Sequence, residues 1–343
     1  MKTKVIVATL LALLIFAGCA APQQLPRHQN LRDDLMDTIM IITAYGNDAD
    51  DAIRYAFRRM EEIHTIANVN DPESIVSRMA ELAGSGEFVS DELIYTLLEI
   101  SEFAYSMSDG AFNPALGPLI QLWAIGSENE RIPERHEIDT ALSLIVLEDV
   151  LWDESGVSLA RQGMSLDFGG VAKGYAGKEA ARVLREHGVE HALIDLGGDL
   201  YALGTRPDGN PWRIGLRSPL GDGTVIGVLE LADTSVMTSG SYIRYFEWHD
   251  ERFHHIFDPR TGLPADSGLI SVSVIYEDAA LADAISTALF VSGLQGSDEI
   301  LSIIPGMSAI FITNELEVYL VGEQAQSLRL NDDRFRIVLP HNN

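Results

Sequence analysis

The period of the hydrophobic pattern changes several times along this chain, and the changes mark its elements. Residues 36–45 (MDTIMIITAY) are β-branched and bounded by Gly46-Asn47-Asp48, which predicts a strand. Over residues 50–67, Ile53, Ala56, Phe57, Met60, Ile63 and Ala67 recur at helical spacing with charges opposite, which predicts an amphipathic helix. Ser90 reads as the cap of a second helix carrying Leu93, Leu97, Ile100 and Ala104, ending near Ser108-Asp109-Gly110. Residues 163–168 read as extended, Gly169-Gly170 as a turn and residues 171–187 as a helix. Short strands are predicted at His191–Leu196, 213–217, Val225–Leu231 and Leu269–Tyr276. A helix covers 279–291, another begins near Ser297, and a hairpin turns at Asn314-Glu315 between 309–313 and Glu317–Val321.

Helices and short strands mix without regular βαβ alternation, so the fold class is α+β, with mixed helices and antiparallel strands in a single compact domain of one or two lobes. No repeat or proline-rich linker divides it. The domain is expected over residues 35–330, with a C-terminal tail at 331–343. The N-terminus follows another logic. Lys2 and Lys4 precede an apolar run at 5–16, too short for a comfortable membrane span and typical of an export signal over residues 1–18. Cys19, the only cysteine, follows Phe-Ala-Gly as in a bacterial lipobox, which makes it the expected site of lipidation and excludes an intramolecular disulfide. Residues 19–34, with Pro22 and Pro26, then read as a lipid-anchored tether that holds a periplasmic or extracytoplasmic domain at a membrane of the cell envelope.

The 343 residues carry 51 acidic against 24 basic side chains, a net charge of −27. That balance argues against nucleic acid as a partner. It also means that an anionic substrate needs local compensation from a metal, a helix N-terminus or a few basic groups.

Three polar islands offer such compensation. Asp283 and Thr287 lie four apart on one predicted helix face, with Ser286 beside them; one carboxylate plus hydroxyls, without a Cys or His cluster, suits Mg²⁺ better than zinc. An ordinary polar helix face fits the same pair. The run from Asp167 through Gly169-Gly170 to Lys173-Gly174 brings an extended segment into a glycine turn and a helix start, where backbone can approach a phosphate. It is neither a dinucleotide fingerprint nor a Walker loop, and a plain strand–helix corner would look alike. Asp195-Leu196-Gly197-Gly198-Asp199 shares that ambiguity and leans towards a structural turn. His254 and His255 adjoin on an extended segment and so face opposite ways, leaving one of them to serve a site as general base. Asp258-Pro259-Arg260-Thr261-Gly262 is a turn whose Arg260 could meet phosphate, and residues 110–119 (GAFNPALGPL) form a Gly/Pro-punctuated loop.

GAFNPALGPL, LDFGGVAKGYA, DLGGDLYALG, TSGSYIRYF, HHIFDPRTGLP and ADAISTALF together resemble, in order, the ApbE family of FAD:protein FMN transferases, over residues 36 to about 320. The resemblance implies an α+β, T-fold-related domain in an exported or lipid-anchored bacterial protein. It implies Mg²⁺-dependent cleavage of FAD, with FMN attached to a threonine or serine of an acceptor flavoprotein, typically a subunit of a membrane redox complex, and AMP released. Carried over by motif, Gly170 supplies a backbone carbonyl to the metal, Asp283 and Thr287 are side-chain ligands, and Ser286 stands where some relatives have an acidic ligand. Asp167, Lys173 and the Ala111-Phe112-Asn113 loop line the FAD site, with Met36 at its edge and Ile256 or Phe257 beside it. His255 matches the base for the acceptor hydroxyl. Two departures stand out: Asn113 replaces a frequent Asp, and Asn70 replaces a frequent aromatic residue, leaving the site more open to water. The alternatives are an FAD pyrophosphatase giving FMN and AMP, and a flavin-binding lipoprotein without catalysis.

Overall fold

The computed structural model describes residues 25–338. In chain order its elements are β1 (Arg27–Leu35), β2 (Thr38–Tyr45), α1 (Ala49–Ala67), α2 (Ile75–Glu81), α3 (Glu92–Met107), α4 (Gly117–Trp123), α5 (Arg135–Leu142), β3 (Val150–Asp153), β4 (Gly156–Leu159) and α6 (Ala172–Glu186). There follow β5 (His191–Leu196), β6 (Leu200–Leu203), β7 (Trp212–Arg217), β8 (Val225–Leu231), β9 (Thr234–Gly240), β10 (Tyr245–Trp248), β11 (Glu251–His254) and β12 (Leu269–Tyr276). The chain closes with α7 (Ala279–Ile303), β13 (Ser308–Thr313), β14 (Glu317–Val321), β15 (Arg329–Leu330) and β16 (Arg336–Ile337).

One nine-stranded sheet, in the order β1-β2-β5-β6-β9-β12-β13-β14-β16, carries the fold. Its pairs are antiparallel except for β14 with β16. Side chains alternate across it, so each face buries a different layer. Met40, Ile42, Ile194, Met237, Val272 and Val274 face the helices, whereas Val236, Ile275, Ile310 and Ile312 face a three-stranded sheet, β15-β8-β7. The result is α+β and antiparallel, as expected. A continuous sheet joins the two layers.

Small residues set how closely the helices approach. Gly174, Ala176, Gly177, Ala180 and Ala181 are buried along α6. A Cβ on Gly177 would come within 2.6 Å of Leu196 Cδ1, and one on Gly174 within 2.7 Å of Asp283 Cβ in α7. Gly293, at φ 73°, interrupts α7 between the two helices expected at 279–291 and from Ser297. α7 is long and apolar enough to cross a membrane, yet 67% of its most apolar window is buried inside this domain, as in a core helix.

Several boundaries differ from expectation. The strand expected at 36–45 begins at Thr38, because Met36 (φ 51°) and Asp37 (φ 55°) form a left-handed two-residue turn between β1 and β2. The tether expected at 19–34 is already an edge strand from Arg27 onward; its side chains are mostly polar and exposed, so only its backbone ladder to β2 holds it. Asp91, not Ser90, caps α3, its carboxylate accepting from Leu93 N and Ile94 N at 2.9 and 3.1 Å. The tail expected at 331–343 belongs to the fold as far as the described residues reach, since Phe335 is buried and β16 pairs with β14. The signal peptide at 1–18, Cys19 and the first residues of the tether lie outside the described residues.

Candidate active site

Where α6 begins, four chain segments converge. The extended run before it has no strand partner; Asp167 N donates to Pro114 O at 2.8 Å, which fixes it against the 111–114 loop. Asp167 then turns its carboxylate onto Gly169 N at 2.8 Å. Burial pushes the Asp167 carboxyl above the usual range, against smaller lowering effects from the Gly169 bond and the charge of Arg244. In the facing loop, Phe112 N donates to Ser108 Oγ, and Asn113 Oδ1 accepts from Ala115 N at 2.9 Å. Asn113 is thus a buried cap whose carbonyl oxygen is already used. The Phe112 ring closes over Gly170, where an added Cβ would lie 2.9 Å from the ring and 3.4 Å from Thr287 Oγ1. Glycine therefore lets this backbone approach Thr287 closely.

Asp283 enters from α7. It is 4% exposed and accepts from Gly174 N at 2.8 Å. Burial pushes its carboxyl up, opposed by the nearby Lys173 charge and by the Gly174 bond. Thr287 Oγ1 lies 3.0 Å from Ser239 Oγ, which is itself 2.8 Å from Ser286 Oγ. Ser286 is fully buried and its hydroxyl also bonds Asp283 O at 2.8 Å, so in this structure it ties α7 to β9. A buried carboxylate with hydroxyls and a close backbone turn is a donor set for a hard cation, which completes its shell with water and phosphate oxygens. Among the described residues there is no cluster of three or more His, Cys, Asp or Glu.

The two histidines separate as their alternation requires. His254 is buried; its Nε2 bonds Ala265 O at 3.0 Å and its Nδ1 accepts from Ile256 N at 3.3 Å, so both nitrogens are occupied. His255 Nδ1 lies 3.0 Å from Arg244 O. A carbonyl only accepts, so Nδ1 carries the proton and Nε2 keeps its lone pair. Burial lowers the His255 pKa to about 4, offset in part by that bond, with the charges of Arg244, His254 and Lys173 adding to the depression. The imidazole is neutral at physiological pH.

Lys173, on the first turn of α6, pairs with Asp199, whose other oxygen accepts from Thr238 N at 2.6 Å. Asp199 is 5% exposed. Sequence reasoning leaned structural for its turn because nothing local announces a partner 26 positions away. Ser239 and the Arg244 carbonyl were missed for the same reason, although both lie in the TSGSYIRYF motif. Met36 sits at the rim: its N–H donates to His64 Nδ1 at 3.3 Å, and Asp37 lies 3.7 Å from Arg244. Ile256 and Phe257 are buried, Phe257 against Trp123 with ring centroids 5.6 Å apart, so they back the site with apolar core. Asn70 is exposed and lines a cavity of about 300 Å³ with Ser77, Gln121, Ser165 and Leu166, the residue before Asp167. Arg260 is paired with Asp258 and exposed.

A carboxylate, hydroxyls, a lysine and a neutral imidazole near a glycine turn and helix start are groups suited to meeting phosphate and to taking a proton from a hydroxyl. The profile of the ApbE family matches residues 36–311, and the chain belongs to that family. It is 34% identical to a protein of Klebsiella pneumoniae called FAD:protein FMN transferase, over 89% of this chain and 95% of that one. It is 32% identical to a Treponema pallidum protein of the same name, over 96% of each. The crystal structure of an ApbE protein from Thermotoga maritima superposes with a TM-score of 0.78 at 31% identity, covering 90% of this chain and 97% of that one.

Proposed function

We propose that this chain transfers FMN from FAD to a hydroxyl of an acceptor protein, releasing AMP, and that it requires Mg²⁺. One observation supports this above the others: buried Asp283 packs on Gly174 and Thr287 on Gly170, both at the glycine turn that opens α6, while the bond from His255 Nδ1 to Arg244 O leaves Nε2 its lone pair. Asp283, Thr287 and the Gly170 carbonyl would hold the cation, with Ser286 supporting them through Ser239. The cation, when bound, neutralises the pyrophosphate of FAD. Lys173 and the N-terminus of α6 add positive potential for the same phosphates. Asp167, Asn113, Ala111 and Phe112 shape the flavin-nucleotide pocket, with Met36 and Asn70 at its rim and Ile256 behind it. His255 Nε2 takes the proton of the acceptor threonine or serine; the hydroxyl oxygen bonds to the FMN phosphorus, the P–O–P bond breaks, and AMP departs with the electron pair. Substrate phosphates beside the imidazole raise its proton affinity from the depressed value it has alone.

The acceptors would be flavoprotein subunits of membrane redox complexes. Export and lipidation at Cys19 would place the domain outside the cytoplasm on a membrane, where such subunits are found. A second reading, FAD hydrolysis to FMN and AMP, rests on the exposed, polar rim at Asn70, which admits water where a protein hydroxyl must otherwise enter.

The test is incubation of the chain lacking residues 1–19 with FAD, Mg²⁺ and a threonine-bearing acceptor. In-gel flavin fluorescence on the acceptor together with AMP is the expected result. Free FMN and AMP with a dark acceptor would move the conclusion to the pyrophosphatase. Asp283→Ala should abolish both products, and turnover retained in that variant would overturn the metal assignment.

A further inference from the structure

Lys173 stands between two buried carboxylates. Its ammonium pairs with Asp199, while the next residue, Gly174, donates its N–H to Asp283 at 2.8 Å, which sets Asp283 against the same turn of α6. The Lys173 charge is felt at Asp283 and at His255 alike. Asp199 is in turn fixed by the Thr238 N–H at 2.6 Å, and Thr238 Oγ1 is anchored 2.8 Å from Ser273 Oγ in β12. The carboxylate is therefore held by the sheet rather than by the lysine, and it draws the lysine towards the β6–β9 side of the site.

We propose that Asp199 is a positioning residue that holds Lys173 away from Asp283, keeping that carboxylate open for the divalent cation. The inference rests on Asp283 as a cation ligand. Without the Asp199 charge, Lys173 has one strong partner left, the Asp283 carboxylate, and an arriving cation must displace it. A lysine in that ion pair competes with the metal for the same oxygens and sits too low to meet the substrate phosphates.

The test is direct Mn²⁺ binding to the purified, metal-free full-length protein, followed by electron paramagnetic resonance of the free ion. Asp199→Asn keeps an acceptor for Thr238 N–H and removes the charge. It should weaken Mn²⁺ binding about tenfold, the equivalent of one competing charged hydrogen bond. Adding Lys173→Gln to Asp199→Asn should restore affinity to within about threefold of wild type, a rescue that general damage to the fold would not give. Lys173→Gln alone should bind Mn²⁺ at least as tightly as wild type, and this arm holds even if Asp199→Asn folds poorly. Unchanged affinity in Asp199→Asn, no rescue in the double variant, or a weakened Lys173→Gln would each overturn the proposal. Asp283→Ala separates the two ideas. Binding that survives it sinks the cation assignment and this inference with it, whereas binding that needs Asp283 but ignores Asp199 sinks the inference alone.

Discussion

Gly174→Ala is a perturbation whose sign can be worked out in advance. In an isolated helix the change would stabilise by about 1 kcal/mol, since glycine is the poorer helix former. Here the new methyl would land on the Ala279 carbonyl oxygen, 2.8 Å from its carbon and 2.7 Å from Asp283 Cβ. Two of those three neighbours are backbone, and no flexible side chain can move aside. α6 and α7 must separate by several tenths of an ångström or more, and overpacking of this kind costs about 3 kcal/mol. Steric cost exceeds helical gain, for a net loss of about 2 kcal/mol and a fall in Tm of about 4 °C for a domain of this size. The same separation lengthens the bond from Gly174 N to Asp283, so FAD turnover should fall more than stability alone explains, with a raised Mg²⁺ requirement. Thermal melts by circular dichroism and an Mg²⁺ titration of activity measure both effects. A Tm equal to or above wild type would refute the argument, because the propensity gain would then have won.

Three further outcomes are expected. In metal-free protein, NMR should find the His255 imidazole titrating near pH 4, because burial disfavours the charged ring; a midpoint between 6 and 7 would show an exposed imidazole. The folded chain then binds fewer protons at this ring than the unfolded chain does between that pH and the ordinary histidine range, so this group's support is complete above about 6.5 and is lost as pH falls towards 4. Asn70→Tyr should shift products from free FMN towards acceptor-bound FMN by several-fold, measured as the ratio of the two, and an unchanged ratio would disconnect Asn70 from water entry. Cys19→Ser should abolish incorporation of labelled fatty acid in a bacterial host, and persistent labelling would place the lipid elsewhere.

The long helices α1, α3, α6 and α7 and the β13–β14 hairpin were legible from their own local patterns, whereas the short α2, α4 and α5 were not. α1 shows Ile53, Phe57, Met60 and Ile63 on one stripe, and these are buried. β1 was illegible because RHQNLRDDL buries little beyond Leu35, so no alternation betrays it. β9 was not legible as a strand, since Thr234-Ser235-Val236-Met237-Thr238-Ser239-Gly240 is a fully engaged central strand made largely of small polar residues. In the site, Asp283, Thr287, Lys173 and His255 were visible as residues, but their mutual arrangement was not. Asp199, Ser239 and the Arg244 carbonyl act through contacts that join segments far apart in sequence, and only the folded sheet brings them together.

The early start of β1 shortens the leash. If Cys19 carries the lipid, only residues 20–26 separate it from β1, which begins at Arg27. Seven residues reach about 25 Å at full extension. The domain could then sweep only a shallow layer above the bilayer, less than its own width, and would work on whatever is presented there. A hydroxyl carried far out on a soluble partner would be beyond its reach, while one close to the lipid headgroups would meet the enzyme at high effective concentration. The selection of acceptors would thus begin with height above the membrane, before any side chain is read.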